Sequence, residues 1–359
     1  MEPRPDSSAQ GAVRVLPWVA EIAMDVGTAN IHVAVKDGGI VVREPALVAY
    51  ASGKEAAVAF GTEARQMLEQ GVANVRVVQP LRSGCIADFG AAVTLLRHYL
   101  QKALGRRMLL GPLVLTAHPT QATPVARRAL AQVLRAAGAG RVIAVQKSLA
   151  AAIGAGLAID APDTQMVIDI GAGVTDAAAI SMGMITEGVT IPIGGQRFDE
   201  ALLRGIKRQQ DIRLTPAAAE EIKLHVGALD RSLAQQPPAG ATNTGSFTYK
   251  ADDVKAFGVQ LDDVPAMLYN QALLLADELA WTVEELPAKV RAQVATTGAA
   301  VTGGGAQLRG LPELLSARTG VPCAMAVDPM ACTMLGLQAV LNNLHALSLD
   351  GRRMTLANR

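Results

Sequence analysis

The sequence predicts an α/β fold made of two duplicated domains that face each other across a cleft. Strand-like and helix-like segments alternate regularly over residues 113–170, which is the pattern of an open α/β sheet. A strand–turn–strand unit also occurs twice, because segment 24–40 can be laid on segment 168–185. Asp25 and Gly27 then meet Asp169 and Gly171. Since the copies are about one domain length apart, we expect their Asp-x-Gly turns to lie opposite each other.

Composition restricts the class of protein further. The chain has 359 residues, half of them apolar, which is enough for two ordinary hydrophobic cores. Its 33 Lys and Arg residues nearly balance its 32 Asp and Glu residues, so no long-range field favours nucleic acid as a partner. The 3 cysteines show no paired spacing, and the polar N-terminus lacks the apolar stretch of a signal peptide. We therefore expect a cytoplasmic protein.

The two Asp-x-Gly turns are the best candidates for ligand binding. A turn of this kind brings backbone N–H groups together where no Cβ obstructs approach, and such groups hold phosphate oxygens. Thr28 could add a hydroxyl, and Asp25 and Asp169 at the strand ends could bind a hydrated Mg²⁺ ion. A third glycine-rich turn follows at residues 303–305. Taken singly, each turn is also compatible with an ordinary hairpin or strand-to-helix loop.

An ordered set of motifs resembles the MreB/Mbl family of bacterial actin-like cell-shape proteins, and the resemblance extends from Ile22 to about Leu344. The motifs are DVGTAN (25–30), GIVVREPALVAY (39–50), IADF (86–89), AAAIGAGL (150–157), DIGAGVTD (169–176), GGQRFDEA (194–201), AEEIK (219–223) and TGGGAQLRGL (302–311). The resemblance implies an actin-like fold of duplicated domains, with ribonuclease-H-like sheets and helices forming four subdomains around a nucleotide cleft.

The resemblance also implies a domain organisation. Its parts are a flexible tail (1–18), domain I (19–162, with a small subdomain at about 40–80), domain II (163–328, with a small subdomain at about 215–265), a C-terminal helix that returns to domain I (329–347) and a tail (348–359).

The resemblance further implies ATP or ADP as the ligand, with Mg²⁺ held through water by Asp25 and Asp169. Glu220 and Lys223 would reach the adenosine, although from the residues alone they predict an ordinary ion pair one helical turn apart. The complete predicted nucleotide-binding set is Asp25, Gly27, Thr28, Ala29, Asn30, Asp169, Gly171, Ala172, Gly173, Val174, Thr175, Glu220, Lys223, Gly303, Gly304, Gly305 and Ala306.

The sequence departs from the family at the expected catalytic position. Where the family has Glu-Glu-Pro, this chain has Gln146, Lys147 and Ser148. A charged Lys147 cannot accept a proton, but it could neutralise the γ-phosphate or point to solvent, whereas Gln146 could orient a water. Val174 also replaces a hydroxyl with a methyl group. We therefore expect nucleotide binding with slow or absent hydrolysis, and Gln146 and Lys147 as degenerate catalytic residues.

The resemblance implies self-assembly into a homopolymer, attachment to the inner face of the cytoplasmic membrane, and membrane partners in cell-wall synthesis or division. One segment, residues 106–110, combines basic groups with an apolar tip: Arg106, Arg107, Met108, Leu109 and Leu110. This combination is typical of binding to an anionic membrane, although the segment could also begin a core strand.

Two other functions stay open, namely an actin-like assembly ATPase that docks onto a secretion or pilus machine and a sugar-kinase-like phosphotransferase. The latter lacks a candidate base carboxylate.

Overall fold

The computed structural model describes residues 19–105, 110–230, 258–344, 347–350 and 353–356. The predicted tail 1–18, most of the predicted membrane segment and part of the second small subdomain lie outside these ranges. Of the membrane segment, Leu110 is described, and it is exposed. None of the helices in the described ranges has both the length and the apolar character needed to cross a bilayer.

The N-terminal half contains a five-stranded sheet and a separate three-stranded sheet. The five strands run in the order β10-β9-β1-β2-β3, and the three run in the order β5-β4-β6. The elements are β1 (Glu21–Val26), β2 (Asn30–Val35), β3 (Gly39–Pro45), β4 (Val48–Ala51), β5 (Ala57–Phe60), α1 (Gly61–Glu69), β6 (Val75–Val78), β7 (Leu81–Arg82), β8 (Cys85–Ile86), α2 (Phe89–Leu104), β9 (Leu113–His118), α3 (Pro124–Ala137), β10 (Arg141–Gln146) and α4 (Lys147–Gly154).

The C-terminal half is built on a seven-stranded sheet in the order β15-β14-β11-β12-β13-β17-β16. Its elements are β11 (Gln165–Ile170), β12 (Thr175–Ser181), β13 (Met184–Ile191), α5 (Gly195–Gln210), α6 (Pro216–Val226), α7 (Val264–Glu284), α8 (Ala288–Thr297), β14 (Ala299–Thr302), α9 (Leu311–Thr319), β15 (Cys323–Met325), α10 (Cys332–Asn342), β16 (Leu347–Asp350) and β17 (Arg353–Leu356).

The two large sheets repeat one topology. In each, the first strand pairs antiparallel with the next strand in the chain and parallel with a strand that follows much later, β9 in one half and β14 in the other. In this register Asp25 lies opposite His32, and Asp169 lies opposite Asp176. The duplicated α/β fold predicted from the sequence repeat is thereby confirmed.

The central strands are apolar because helices cover both faces of each sheet. Ile22, Ala23 and Met24 of β1 are completely buried, and so is Val167 of β11. Strands covered on both faces are continuously hydrophobic instead of alternating. The first strand of each half therefore lies deep in the protein, and its final residues and the turn after it lie at one edge of the core.

Helices α4 and α10 pack between the two sheets, with backbone against backbone. A Cβ added to Gly154 would lie 1.8 Å from the Cys332 carbonyl oxygen, and one added to Gly336 would lie 1.8 Å from the Ala150 carbonyl oxygen. Only glycine allows this approach. One hydrophobic cluster here includes Leu115 of the first half and Val167 of the second, so the helix pair joins the two halves.

The prediction of a helix and a tail for the C-terminal residues is wrong in part. The helix expected over 329–347 spans only Cys332–Asn342, and strands β16 and β17 form a hairpin where residues 348–359 were expected to be a tail. The hairpin extends the second sheet, where Arg353 pairs with Met184 of β13. The sequence did carry the signal, since LSLD and RMTL alternate apolar and polar residues and an Asp-Gly dipeptide begins at the last residue of LSLD.

The glycine contact between α4 and α10 predicts the effect of one added methyl group. Gly336→Ala should lower the free energy of unfolding by about 1–3 kcal/mol, because the new Cβ overlaps the Ala150 carbonyl and forces the helices apart. Urea unfolding followed by circular dichroism measures this. The control is Gly90→Ala at an exposed position in the first turn of α2, where the new Cβ would lie at an ordinary 3.7 Å from Asp88 Oδ1 and helix propensity favours alanine. Equal stability of Gly336→Ala and the wild type would contradict this account.

Candidate functional site

A cleft of about 710 Å³ lies between the two halves, and the two repeated turns face it. After β1, the Gly27 N–H donates to the Asn30 carbonyl over 3.1 Å, and after β11 the Gly171 N–H donates to the Val174 carbonyl over 2.9 Å. Equivalent bonds therefore close both turns. The sequence repeat thus corresponds to two matching turns in one cavity.

The two turns are in direct contact. A Cβ at Gly173 would lie 2.6 Å from the Thr28 hydroxyl oxygen and 3.0 Å from the Ser83 backbone. Any side chain at Gly173 would therefore push the turns apart, and glycine is required for the close approach. Thr28 is fixed in turn, since its hydroxyl accepts from the Gly84 N–H at 3.0 Å and its carbonyl accepts from the Gln79 amide at 2.6 Å.

The third glycine turn rests on the end of β11. Gly303 has φ of +80° and donates its N–H to the Pro329 carbonyl at 2.7 Å. A Cβ there would lie 2.4 Å from the Ile170 carbonyl oxygen and 2.6 Å from Asp169 Oδ1. The short 3₁₀ helix Gly304–Gln307 follows and forms another wall of the cleft. Three glycine turns that are distant in sequence therefore surround one cavity.

An ammonium group lies among buried aspartates in this cavity. Lys147 Nζ is 3.0 Å from Asp169 Oδ2, and the side chains of Lys147 and Asp169 are only 18% and 2% exposed. Burial by itself would lower the pKa of Lys147, but the charges of Asp169, Asp25 and Asp176 outweigh it and raise that pKa. Lys147 is therefore charged across the whole physiological pH range.

The other two carboxylates respond differently to this charge. Burial would raise the pKa of Asp25, but its neighbours His32, with Nδ1 3.8 Å from Asp25 Oδ2, and Lys147 hold it below its usual value. Asp176 is completely buried, and burial raises its pKa. Its Oδ1 accepts from the Thr120 N–H at 2.7 Å and from the Thr190 hydroxyl at 2.6 Å. Burial and neighbouring groups therefore shift the pKa values of these two aspartates in opposite directions.

The predicted magnesium site does not fit this arrangement. Asp25 and Asp169 both line the cleft, but the Lys147 ammonium already pairs with Asp169. A divalent ion beside it would meet a like charge at short range, with an unfavourable Coulomb energy. In the described part of the chain, no three His, Cys, Asp or Glu side chains are grouped to hold a metal ion.

Two predicted site residues lie outside the cleft lining. The Gln146 amide donates to the Thr120 carbonyl at 3.3 Å, and the buried Thr175 hydroxyl donates to the Ile193 carbonyl at 2.7 Å. Gln146 is the last residue of the edge strand β10 and Thr175 is the first residue of β12, and each donates to a carbonyl of a nearby loop. The remaining predicted nucleotide-binding residues line the cleft, and so does Lys147.

Glu220 and Lys223 on α6 line the cleft but bind other partners. Lys223 Nζ is 2.7 Å from Asp199 Oδ1 and donates to the Gly195 carbonyl at 3.1 Å. Glu220 Oε2 is 3.6 Å from a guanidinium nitrogen of Arg65, which is on α1 in the first half. The ion pair of ordinary helical spacing predicted from the residues alone is replaced by these two contacts.

Sequence reasoning missed the polar residues that support the site. Asp199 and Arg65 pair with the two α6 side chains, His32 flanks Asp25, and Asp176 accepts a hydrogen bond from a loop of the first half. Asp176 could have been found because it ends the DIGAGVTD motif, and His32 because it lies in the first copy of the repeat. Arg65 and Asp199 make their contacts between elements that are distant in sequence, which no local pattern indicates.

Comparisons with known proteins agree with this geometry. The sequence profile described as "MreB/Mbl protein" matches residues 19–349. The chain belongs to the MreB/Mbl family. It is 31% identical to the cell shape-determining protein Mbl of Bacillus subtilis strain 168 over 335 residues, covering 92% of this chain and 98% of that protein. It is 32% identical to the cell shape-determining protein MreB of Escherichia coli K12 over 333 residues, covering 88% and 91%.

A solved structure confirms the fold. MreB5 of Spiroplasma citri, solved bound to ADP, matches with a TM-score of 0.78 and 28% identity, covering 91% of this chain and 97% of that one. The predicted actin-like α/β fold of this MreB/Mbl family member is therefore confirmed, together with the resemblance. Membership of a family of cell-shape proteins does not favour the two alternatives, the docking ATPase and the sugar kinase.

The largely buried Lys223–Asp199 pair predicts a pH effect on stability. Burial raises the pKa of Asp199 to about 6 despite the nearby Lys223, whereas an unfolded aspartate titrates near 3.9. Between these values the folded protein binds a proton that the unfolded chain has lost, so stability decreases as pH rises from about 4 to about 6. Two pKa units correspond to about 3 kcal/mol at most.

Urea unfolding at several pH values should show this decrease in the wild type relative to Asp199→Asn, which cannot titrate. Only the pH-dependent part of the difference counts, because the substitution also removes an ion pair. Exposed Asp160→Asn is the matched control and should follow the wild type. A parallel pH profile for the wild type and Asp199→Asn would refute the assignment.

Proposed function

We propose that this MreB/Mbl family member binds ATP and ADP in the cleft and assembles into homopolymeric filaments at the inner face of the cytoplasmic membrane. The filaments organise cell-wall synthesis and cell shape through membrane partners, and they hydrolyse ATP slowly or not at all. The observation that carries this proposal is the matched pair of glycine turns, which are closed by equivalent hydrogen bonds and touch at Gly173 and Thr28.

The cleft offers one place for the phosphates of a nucleotide and another for its adenosine. Glycine turns at strand ends let backbone amides approach phosphate oxygens, and two such turns meet at one end of the cleft. Gly304, Gly305 and Ala306 form a wall with little side-chain bulk, beside α6, where an adenosine would lie. The related MreB5 of Spiroplasma citri was solved bound to ADP, which supports the same class of ligand here.

Slow hydrolysis follows from the residue at the start of α4. A general base must be able to accept a proton, and Lys147 remains charged because Asp169, Asp25 and Asp176 surround it. Gln146, the alternative residue for orienting water, instead donates to the Thr120 carbonyl. Magnesium is left out of this proposal, because the Lys147 ammonium pairs with the carboxylate that a hydrated ion would use.

Filament formation and membrane attachment rest on the family alone. The relatives in Bacillus subtilis and Escherichia coli are cell shape-determining proteins, and an actin-like subunit repeated head to tail gives an open filament. For the membrane contact we propose the basic and apolar segment 106–110, of which only exposed Leu110 is described.

The first test is nucleotide binding and pelleting of the purified full-length protein. ATP should raise the melting temperature of the wild type. With phosphatidylglycerol vesicles and ATP the protein should sediment with the vesicles, and electron microscopy should show filaments on their surface. Gly173→Ala should lose the ATP-dependent thermal shift, because its Cβ would separate the two turns. Gly38→Ala, in an exposed turn with ordinary contacts only, should keep it.

Two outcomes would contradict the proposal. If neither ATP nor ADP changes the melting temperature of the wild type, the protein does not bind nucleotide in this cleft. A protein that binds nucleotide but stays monomeric under every condition is not a filament subunit, and the docking ATPase then becomes the better reading.

The second test concerns hydrolysis. Lys147→Glu restores a carboxylate where the family places one, and steady-state phosphate release with magnesium present should rise by at least about tenfold over the wild type, since a positioned general base contributes about 10²–10⁴-fold. Lys289→Glu, an equal charge change on exposed α8, should leave the rate unchanged. If the wild type already releases phosphate as fast as Lys147→Glu, residue 147 does not limit hydrolysis.

A further inference from the structure

A fixed positive charge lies where a nucleotide's phosphates would meet the aspartates of the cleft. Lys147 Nζ is 3.0 Å from Asp169 Oδ2 on one side. On another side it borders the second glycine turn, since a Cβ at Gly171 would lie 3.4 Å from Nζ. Asp25, across the cleft, is close enough for its charge to couple to the same ammonium. The ammonium is thus next to both the carboxylates and the turn that would hold phosphate.

A polyphosphate cannot approach these carboxylates without a cation. The carboxylate oxygens of Asp25 and Asp169 lie in a poorly solvated part of the cleft, where repulsion between them and phosphate oxygens is only weakly screened. Nucleotide-binding proteins commonly meet this requirement with a hydrated Mg²⁺ ion. In this chain Lys147 supplies a cation from its own side chain, and an ammonium has three N–H donors that can serve a carboxylate and a phosphate at once.

We infer that Lys147 replaces the divalent ion, so that its ammonium bridges the Asp169 carboxylate to a phosphate oxygen and metal-free ATP or ADP is the form that binds. This inference rests on the proposed function, because it requires a nucleotide in the cleft. A tethered ammonium is present before the ligand arrives, whereas a metal ion has to enter with it. An Mg²⁺ ion at the same carboxylates would meet the like charge of Lys147.

The decisive experiment is calorimetric titration of ATP and of ADP into the nucleotide-free, full-length wild type, once with excess magnesium chloride and once with excess EDTA. The dissociation constant should differ by less than about threefold between the two buffers, because the protein supplies the required cation charge. Weakening by about tenfold or more in EDTA, which corresponds to about 1.4 kcal/mol, would overturn the inference.

Two substitutions test whether Lys147 causes the metal independence. Lys147→Glu reverses the charge and should bind ATP only in magnesium. Lys147→Met removes the charge at similar length and should also become dependent on magnesium. Exposed Lys289→Met should behave as the wild type. Circular dichroism shows which variants fold. The comparison of wild-type affinities in magnesium and in EDTA remains valid even if Lys147→Glu does not fold. Binding of ATP to folded Lys147→Met in EDTA with wild-type affinity would also overturn the inference.

The same titrations separate failure of the inference from failure of the proposed function. If the wild type binds nucleotide in magnesium but not in EDTA, the cleft is a nucleotide site and only the role of Lys147 is wrong. If the wild type binds in neither buffer, the cleft is not a nucleotide site and both proposals fall.

Discussion

The close packing of α4 against α10 is the contact on which the cleft depends. Gly154 at the end of α4 and Gly336 in the middle of α10 let the two backbones meet where any side chain would overlap a carbonyl group. Helix α4 is thereby fixed along its length, and its first residue is Lys147. The position of the ammonium group beside Asp169 is therefore a result of helix packing, and it does not depend on a flexible loop.

Burying a lysine with acidic partners changes what the cleft can do. Removal of a charged group from water is costly unless a partner compensates for it, and here Asp169 and Asp25 provide that compensation. The same pairing that stabilises the ammonium prevents it from acting as a base. One side chain therefore accounts both for a positive site that favours phosphate and for the absence of a proton acceptor.

The sequence predicted the features that repeat and missed those that join distant segments. The duplicated turns at Gly27 and Gly171 were predictable because strand, turn and glycine spacing are local properties. The second residue pair expected in the site, Glu220 and Lys223, was placed correctly on α6 and in the cleft wall. Their partners Arg65 and Asp199 are remote in the chain, so their contacts follow only from the three-dimensional arrangement.

Local patterns also do not show where a polar side chain finds its partner. Gln146 and Thr175 were expected as site residues from their places in the motifs, and in the structure each donates to a backbone carbonyl of a nearby loop. The C-terminal strands were missed because an apolar helix preceded them, and its pattern was extended too far. The direction of the Lys147 side chain likewise depends on packing, since the residue by itself was compatible with a solvent-facing side chain, whereas the structure places its ammonium 3.0 Å from Asp169 Oδ2.

The contact between Arg65 and Glu220 is the weaker of the two links described between α6 and its surroundings. It joins the small sheet region of one half to α6 of the other, at a separation of 3.6 Å and with both side chains about one-third exposed. An ion pair of this kind contributes at most about 1 kcal/mol and is weakened by salt. Added salt should therefore weaken this contact between the halves while leaving the apolar, backbone-to-backbone joint between α4 and α10 in place, so that the two contacts respond to different solution conditions.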